Sequence, residues 1–285
     1  NVGVTWAINS GLDGSKFSID GSGNLTFNSA PNFEVPLDSD GNNTYQVEVK
    51  ATTTDGLGFF STQVLTVTVN NVNESSPTID TTSLTGSIQE NANTNTVIYD
   101  VSASDADITD ILTYSVSGTD SSLVTIDADD GEVRLKASAD YETKSSYDFT
   151  VIATDDGLGA LSGSRAVVLN ISNVNDNPVL KEKIPTWHIY ENTSENLALN
   201  QFFTDPDDDN LTMSITLPGG AVLPSWCNFD GSSTILTVNP SRANFGLNTF
   251  EITVNDGNGG QITDQIFVNV IARNTPAKGD VTISG

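Results

Sequence analysis

Apolar and polar residues alternate along most of this chain, in short bursts. "TYQVEVKAT" (44–52), "YDFTVIAT" (147–154) and "TFEITVND" (249–256) each set every second side chain on one face. That period of two marks a half-buried β-strand. A Gly-rich turn follows each burst ("TTDGLG", "DDGLG", "DGNGG"), and a second alternating run follows each turn ("TQVLTVTV", "SRAVVLNI", "DQIFVNV"). No stretch of useful length has a helical period, so the pattern predicts an all-β chain.

These bursts are one unit repeated. The aromatic anchors Tyr45, Tyr147 and Phe250 recur at spacings of 102 and 103 residues. An upstream hairpin recurs with them: "FSIDGSGNLTF" (17–27), "VTIDADDGEVRL" (124–135) and, more loosely, "CNFDGSSTILTV" (227–238). A period of about 100 residues filled with short strands has the size and texture of an immunoglobulin-like β-sandwich. The pattern therefore predicts three tandem Greek-key sandwiches over 1–73, 74–176 and 177–274, the first truncated. Residues 275–285 read as a linker or the start of another module.

Composition narrows the chemistry. Of 285 residues, 37 are Asp or Glu and 11 are Lys or Arg, for a net charge of -26. Nucleic acid and anionic membrane surfaces call for clustered basic residues, and none here stand closer than Lys181 to Lys183 or Arg134 to Lys136. No apolar run approaches the roughly 20 residues needed to cross a bilayer, which argues against direct membrane insertion. The single Cys227 forms no intrachain disulfide, so a secreted chain of this kind needs good cores or a metal as a staple. Six N-x-S/T sequons, at Asn24, Asn42, Asn73, Asn170, Asn192 and Asn210, read as chance in so Asn-rich a chain.

The acids are placed by the repeat. "NVNESSP" (71–77) and "NVNDNP" (173–178) close the first two units with side-chain oxygens in a row. Glu90, Asp105, Asp107, Asp140, Glu142 and Asp155 punctuate the second unit, and Glu191, Asp205, Asp207 and Asp256 punctuate the third. Calcium takes about six to eight oxygens from carboxylates, Asn side chains and backbone carbonyls. Asx residues are also ordinary turn formers, but matching offsets in two units favour the metal.

At these positions the chain resembles the cadherin family, whose repeats carry a Glu near the first strand, a DxD, an LDRE-like segment, an AxD and a DxNDNxP linker. The resemblance implies calcium at each junction. Carried over, the second junction would use Glu90, Asp140, Glu142, Asn173, Asn175, Asp176, Asp205, Asp207 and Asp256, with the carbonyl of Asn177. Asn173 stands where the family usually has Asp. The first would use Glu34, Asn71, Asn73, Glu74, Asp105, Asp107 and Asp155. It has Glu74 for the linker Asp, Ser75 for the last Asn and Asn32 for an acid, so it is expected to hold fewer or weaker ions. The middle of the third unit, "LPSWCNFDGSSTILTVNPSRANFG", resembles the dystroglycan-type cadherin-like domains common in large bacterial surface proteins.

Together these readings predict a calcium-rigidified spacer of an extracellular or cell-surface adhesin, partnered by neighbouring repeats of its own chain. The competing reading is a glycan- or peptide-binding module in the third unit, with Trp187, His188 and Tyr190 as its contacts. No nucleophile–base constellation points to an enzyme, and a lone Cys without a nearby His is a weak nucleophile.

Overall fold

The computed structural model describes residues 3–83 and 85–273. The expected module start at 275–285 lies outside them. The chain divides into two compact units, residues 1–140 with 146–171, and residues 141–145 with 172–285. The first unit holds two of the three expected repeats, each with its own core.

The first repeat runs β1 (Val4–Ser10), β2 (Phe17–Ile19), β3 (Leu25–Phe27), β4 (Thr44–Thr53) and β5 (Phe60–Thr68). A sheet ordered β1-β4-β5 covers the β2-β3 hairpin. Alternation along β4 turns Tyr45, Val47 and Val49 inward against Phe17. Tyr45 meets Phe27 edge-on at 5.0 Å and 83°, and Phe17 at 6.0 Å and 88°, the geometry that ring quadrupoles favour. β5 forms the sheet edge, with Phe60 exposed beneath the Lys50 ammonium at 4.0 Å.

The second repeat comprises β6 (Thr78–Ile79), β7 (Thr85–Gln89), β8 (Tyr99–Asp100), β9 (Ala103–Ser104), β10 (Thr113–Ser117), β11 (Val124–Ile126), β12 (Glu132–Leu135), β13 (Ser146–Thr154) and β14 (Ser162–Ser172). Its sheets are ordered β10-β13-β14-β7 and β11-β12-β8, with a short β6-β9 pair. Val133, Val151, Val167 and Leu169 fill the space between them. β-branched residues dominate this core because they pack well on a pleated surface.

The third repeat comprises β15 (Val179–Leu180), β16 (Trp187–Tyr190), β17 (Glu195–Ala198), β18 (Phe203–Thr204), β19 (Thr212–Thr216), β20 (Cys227–Asp230), β21 (Ile235–Val238), β22 (Gly246–Asn255) and β23 (Gln261–Ile271). Its sheets run β16-β23-β22-β19 and β17-β21-β20. β16 lies parallel to β23, whereas β22 and β23 form a long antiparallel hairpin. Phe250, Ile252, Leu236 and Ile266 are fully buried at its centre. Trp226 meets Phe250 edge-on at 5.7 Å, so the LPSW corner packs against the core.

Among the described residues the first repeat has five strands and each of the others nine. One device recurs in the first two. Asp13 pairs through its backbone N–H with the carbonyl of Gln46 and accepts the Gln46 N–H on Oδ2. Asp120 does the same to Asp148. This buried clamp fixes where the central strand begins, and so where the acids beside it stand.

Candidate metal centres

In the first unit, Asp105 and Asp107 follow β9 directly. The Asp107 N–H donates to Asp105 Oδ1 at 3.0 Å, closing a tight Asx turn. The Ser75 N–H donates to Asp107 Oδ2 at 2.9 Å, and the Asn73 amide donates to Asp155 Oδ1 at 2.8 Å. Asp155 follows β13, and the N–H groups of Gly157 and Leu161 also hold it at 3.1 Å. The Asn71 amide reaches Thr109 Oγ1 at 3.1 Å. Linker and lower repeat are thereby fastened together, and carboxylate oxygens of Glu34, Glu74 and Asp107 come within 4.8 Å of one another.

Oxygens are left over. Glu34 Oε1, Asn73 Oδ1, Asp105 Oδ2, Asp107 Oδ1 and Asp110 Oδ2 are buried without a hydrogen-bond partner. A buried polar atom without a partner is costly, and several converging from acids fit a hard cation. Loss of water, with Glu34 and Asp107 nearby, pushes the Glu74 carboxyl above its ordinary range. Burial followed by Asp107, Asp155 and Asp156 does the same to Asp110. These are carboxylates short of positive charge.

The second unit repeats the pattern. Asp205 and Asp207 follow β18, with the Asp207 N–H on Asp205 Oδ1 at 3.0 Å. The Asp176 N–H donates to Asp207 Oδ2 at 2.7 Å, and the Asn175 amide to Asp256 Oδ2 at 2.9 Å. Asp256 follows β22 as Asp155 follows β13, and its Oδ1 takes the N–H groups of Asn258, Gly259 and Gly260. The Asn177 side chain is spent on the Gln261 N–H at 3.2 Å. Asp205, Asp207 and Asp209 bring oxygens within 4.8 Å, and Asp205 Oδ2 and Asp207 Oδ1 are buried without a partner. Here donors prevail. The Asp176 N–H first, then the side chains of Asn173 and Glu142, hold Asp207 below the usual carboxylate range. The Asn175 amide leads in lowering Asp256.

Glu90, buried just after β7, and exposed Asp140 belong to the first compact unit, whereas Glu142 and the residues from Asn173 onward belong to the second. The first linker differs from its sequence alignment. Its Asn73 matches Asn175, but Ser75, not Glu74, makes the bond that Asp176 makes. "NVNESSP" is one residue longer than "NVNDNP" between that Asn and Pro, and Glu74 is the extra residue. Asp110 and Asp209 escaped the sequence reading. The signal for both was an acid three or two positions beyond each DxD, in "DADITD" and "DPDDDN".

Trp187, His188 and Tyr190 do not share a face. Alternation along β16 turns Trp187 inward, edge-on to Phe202 at 5.9 Å. His188 and Tyr190 point outward, His188 beside the Asn269 amide. A three-residue platform is therefore not present. Cys227 is buried, and burial pushes its thiol up to about 12.

Comparison with known proteins agrees with this geometry. Residues 84–172 match the model of the cadherin domain, and residues 175–269 that of a bacterial Ig domain. Protocadherin Fat 4 of Homo sapiens is 40% identical over 81 residues, covering 28% of this chain and 2% of that protein. Protocadherin Fat 2 of Rattus norvegicus is 34% identical over 148 residues, covering 50% of this chain and 3% of that one. This chain thus spans a very small part of either relative. Among solved structures, a mouse cadherin-23 fragment, EC22-24, superposes with a TM-score of 0.61 at 21% identity, covering 95% of this chain and 87% of that one. A mouse protocadherin-24 fragment, EC1-3, gives 0.60 at 19%, covering 95% and 90%. The fold is that of tandem immunoglobulin-like cadherin repeats. Within that fold, residues 84–172 match the cadherin domain and residues 175–269 a bacterial Ig domain.

Proposed function

We propose that this chain is a calcium-stiffened spacer in an extracellular, cell-surface adhesin, and that its role is mechanical rather than enzymatic. One observation carries the reading. The same linker-to-acid bonds recur in both units, Asn73 to Asp155 and Asn175 to Asp256, each beside buried carboxylate oxygens that have no partner. In the first unit the ion would be held by Glu34, Glu74, Asp105, Asp107, Asp110 and the Asn73 carbonyl oxygen. In the second, Asp205, Asp207 and Asp209 form the centre of the set. Calcium there neutralises like charges that otherwise repel, and ties the linker to the acids beside it. A donor set that recurs once per repeat suits structure, whereas catalysis needs one cleft. The bacterial Ig match over 175–269 supports a bacterial surface protein, with the dystroglycan-type pattern of "LPSW" as its finer resemblance.

Extracellular calcium modules bind at about 10⁻⁴–10⁻³ M, so the spacer would stiffen outside cells and slacken where calcium is scarce. Small-angle scattering with and without chelator tests this. A larger maximum dimension with calcium is the expected result, and an unchanged one refutes the proposal.

A further inference from the structure

The first repeat carries an insertion that neither junction uses. The connection from Phe27 to Tyr45 is six residues longer than its counterpart from Leu135 to Tyr147. The extra length falls in "LDSDGNN", where Asp38, Asp40 and Asn42 stand at every second position. Oxygen-bearing residues at positions one, three and five are how calcium loops present ligands to one ion. Gly41 and Asn43, at φ 70° and 60°, fold the loop back on itself.

Alternating acids by themselves are only a turn. The buried oxygens say more. Asp38 and Asn43 are each only 8% exposed, and Asp38 Oδ1 and Asn43 Oδ1 are both buried with no hydrogen-bond partner. Their other atoms are engaged: Asp38 Oδ2 takes the Asn42 N–H at 2.8 Å, and the Asn43 amide donates to the Phe33 carbonyl at 2.8 Å. The Asp40 carboxyl and the Asn43 N–H also lie within hydrogen-bonding reach of Asp38. Asp40 has its own partner in the Asn42 amide at 2.9 Å. Two buried oxygens of the loop are thus left without a partner, with a second carboxylate two positions away. From outside the loop, the Ser39 N–H is held by buried Asp13 at 2.7 Å, which ties the turn to the clamp on β4.

We propose that residues 38–43 form a further calcium site, separate in sequence from the junction acids, with Asp38, Asp40 and Asn43 as side-chain ligands and Asn42 and water completing the shell. Two carboxylates balance one divalent ion. Magnesium is the poorer fit, because it demands a near-ideal octahedron and sheds water reluctantly, whereas this loop offers Asx oxygens on a flexible turn. No glutamate stands where a helix-loop-helix calcium site places its bidentate ligand; Val49 occupies that position. The site is therefore a loop site of its own kind.

The test counts ions on the full chain by equilibrium dialysis against calcium. Asp40→Ala, at an exposed side chain of the loop, should lose one bound ion per chain and leave the rest. Asp107→Asn and Asp207→Asn should keep that ion. An unchanged count in Asp40→Ala overturns the proposal. A readout on the unsubstituted protein needs no variant: the amide resonances of Gly41 and Asn42 should shift with calcium and stay put with equal magnesium. Amides that ignore calcium also overturn it. If the loop ion alone is found, the junction reading fails and this one stands.

Discussion

Asn175 donates its side-chain amide to Asp256 at 2.9 Å, and Asn73 makes the same bond to Asp155 at 2.8 Å in the preceding repeat. Both bonds join a linker to the end of a central strand about 80 residues away. Asn73 Oδ1 is left buried without a partner beside that bond, so in the first centre the Asn both fastens the linker and has an oxygen to offer an ion. Asn175→Ala should therefore lower the calcium-free melting temperature by about 4–8 °C, as loss of one hydrogen bond does in a domain of this size. It should also weaken calcium binding. A melt in chelator and a titration read the two effects separately.

The two centres should respond to different substitutions. Asp107 Oδ1 and Asp207 Oδ1 are the buried, unpartnered oxygens at the middle of each. Asp107→Asn should weaken binding at the first at least tenfold and leave the second intact, and Asp207→Asn should do the reverse. The second should also fill first in the unsubstituted chain, because burial and neighbouring acids raise Glu74 and Asp110 at the first, whereas hydrogen-bond donors lower Asp207 and Asp256 at the second. Calorimetric titration of both variants checks the order.

Gly260 is a sterically guarded position. A methyl group there would stand 2.1 Å from Asp256 Oδ2 and 2.9 Å from Asn177 Oδ1. Gly260→Ala should push Asp256 off its bond to Asn175 without opening the core beneath. The expected result is weaker calcium binding with an unchanged near-ultraviolet spectrum in the apo state.

Cys227 reports on folding of the third repeat. Burial raises its thiol from 9.0 to about 12, because the thiolate is disfavoured away from water. At pH 8 the native protein should resist thiol reagents and react fully once unfolded. The folded group holds its proton longer than the unfolded one. Its contribution to stability is thus complete below pH 9 and is lost as pH rises from there toward 12. Cys227→Ser should remove that share of the alkaline loss, which denaturant titrations at pH 8 and 10.5 would show.

Much of this architecture was legible in the alternation of "YDFTVIAT" and its counterparts, because a period of two on a sheet buried on one face leaves a direct imprint. The DxD turns were legible for a similar reason, since a short Asx turn is a local event. The extra residue in "NVNESSP" was not. Ser75 takes its role only through an N–H bonded to Asp107, and backbone bonds carry no side-chain signature. Asp110 was hidden likewise, brought to the cluster by the path of the chain after β9. The face of Trp187 was decided by the parallel register of β16 on β23, where Trp187 opposes Val268, and no local pattern encodes a pairing about 80 residues distant.

That parallel register also determines how the third repeat bears a pull. β16 brings the chain in and β23 takes it out, side by side and pointing the same way. Tension applied at the two ends slides one strand along the other and loads their shared bonds together. A hairpin such as β22 and β23, pulled at its open end, would instead unzip, losing its bonds in succession. The strand carrying Trp187 and Tyr190 is in this sense a shear latch, and the force at which single molecules give way should drop sharply when Ile189, buried at its centre, is replaced by proline.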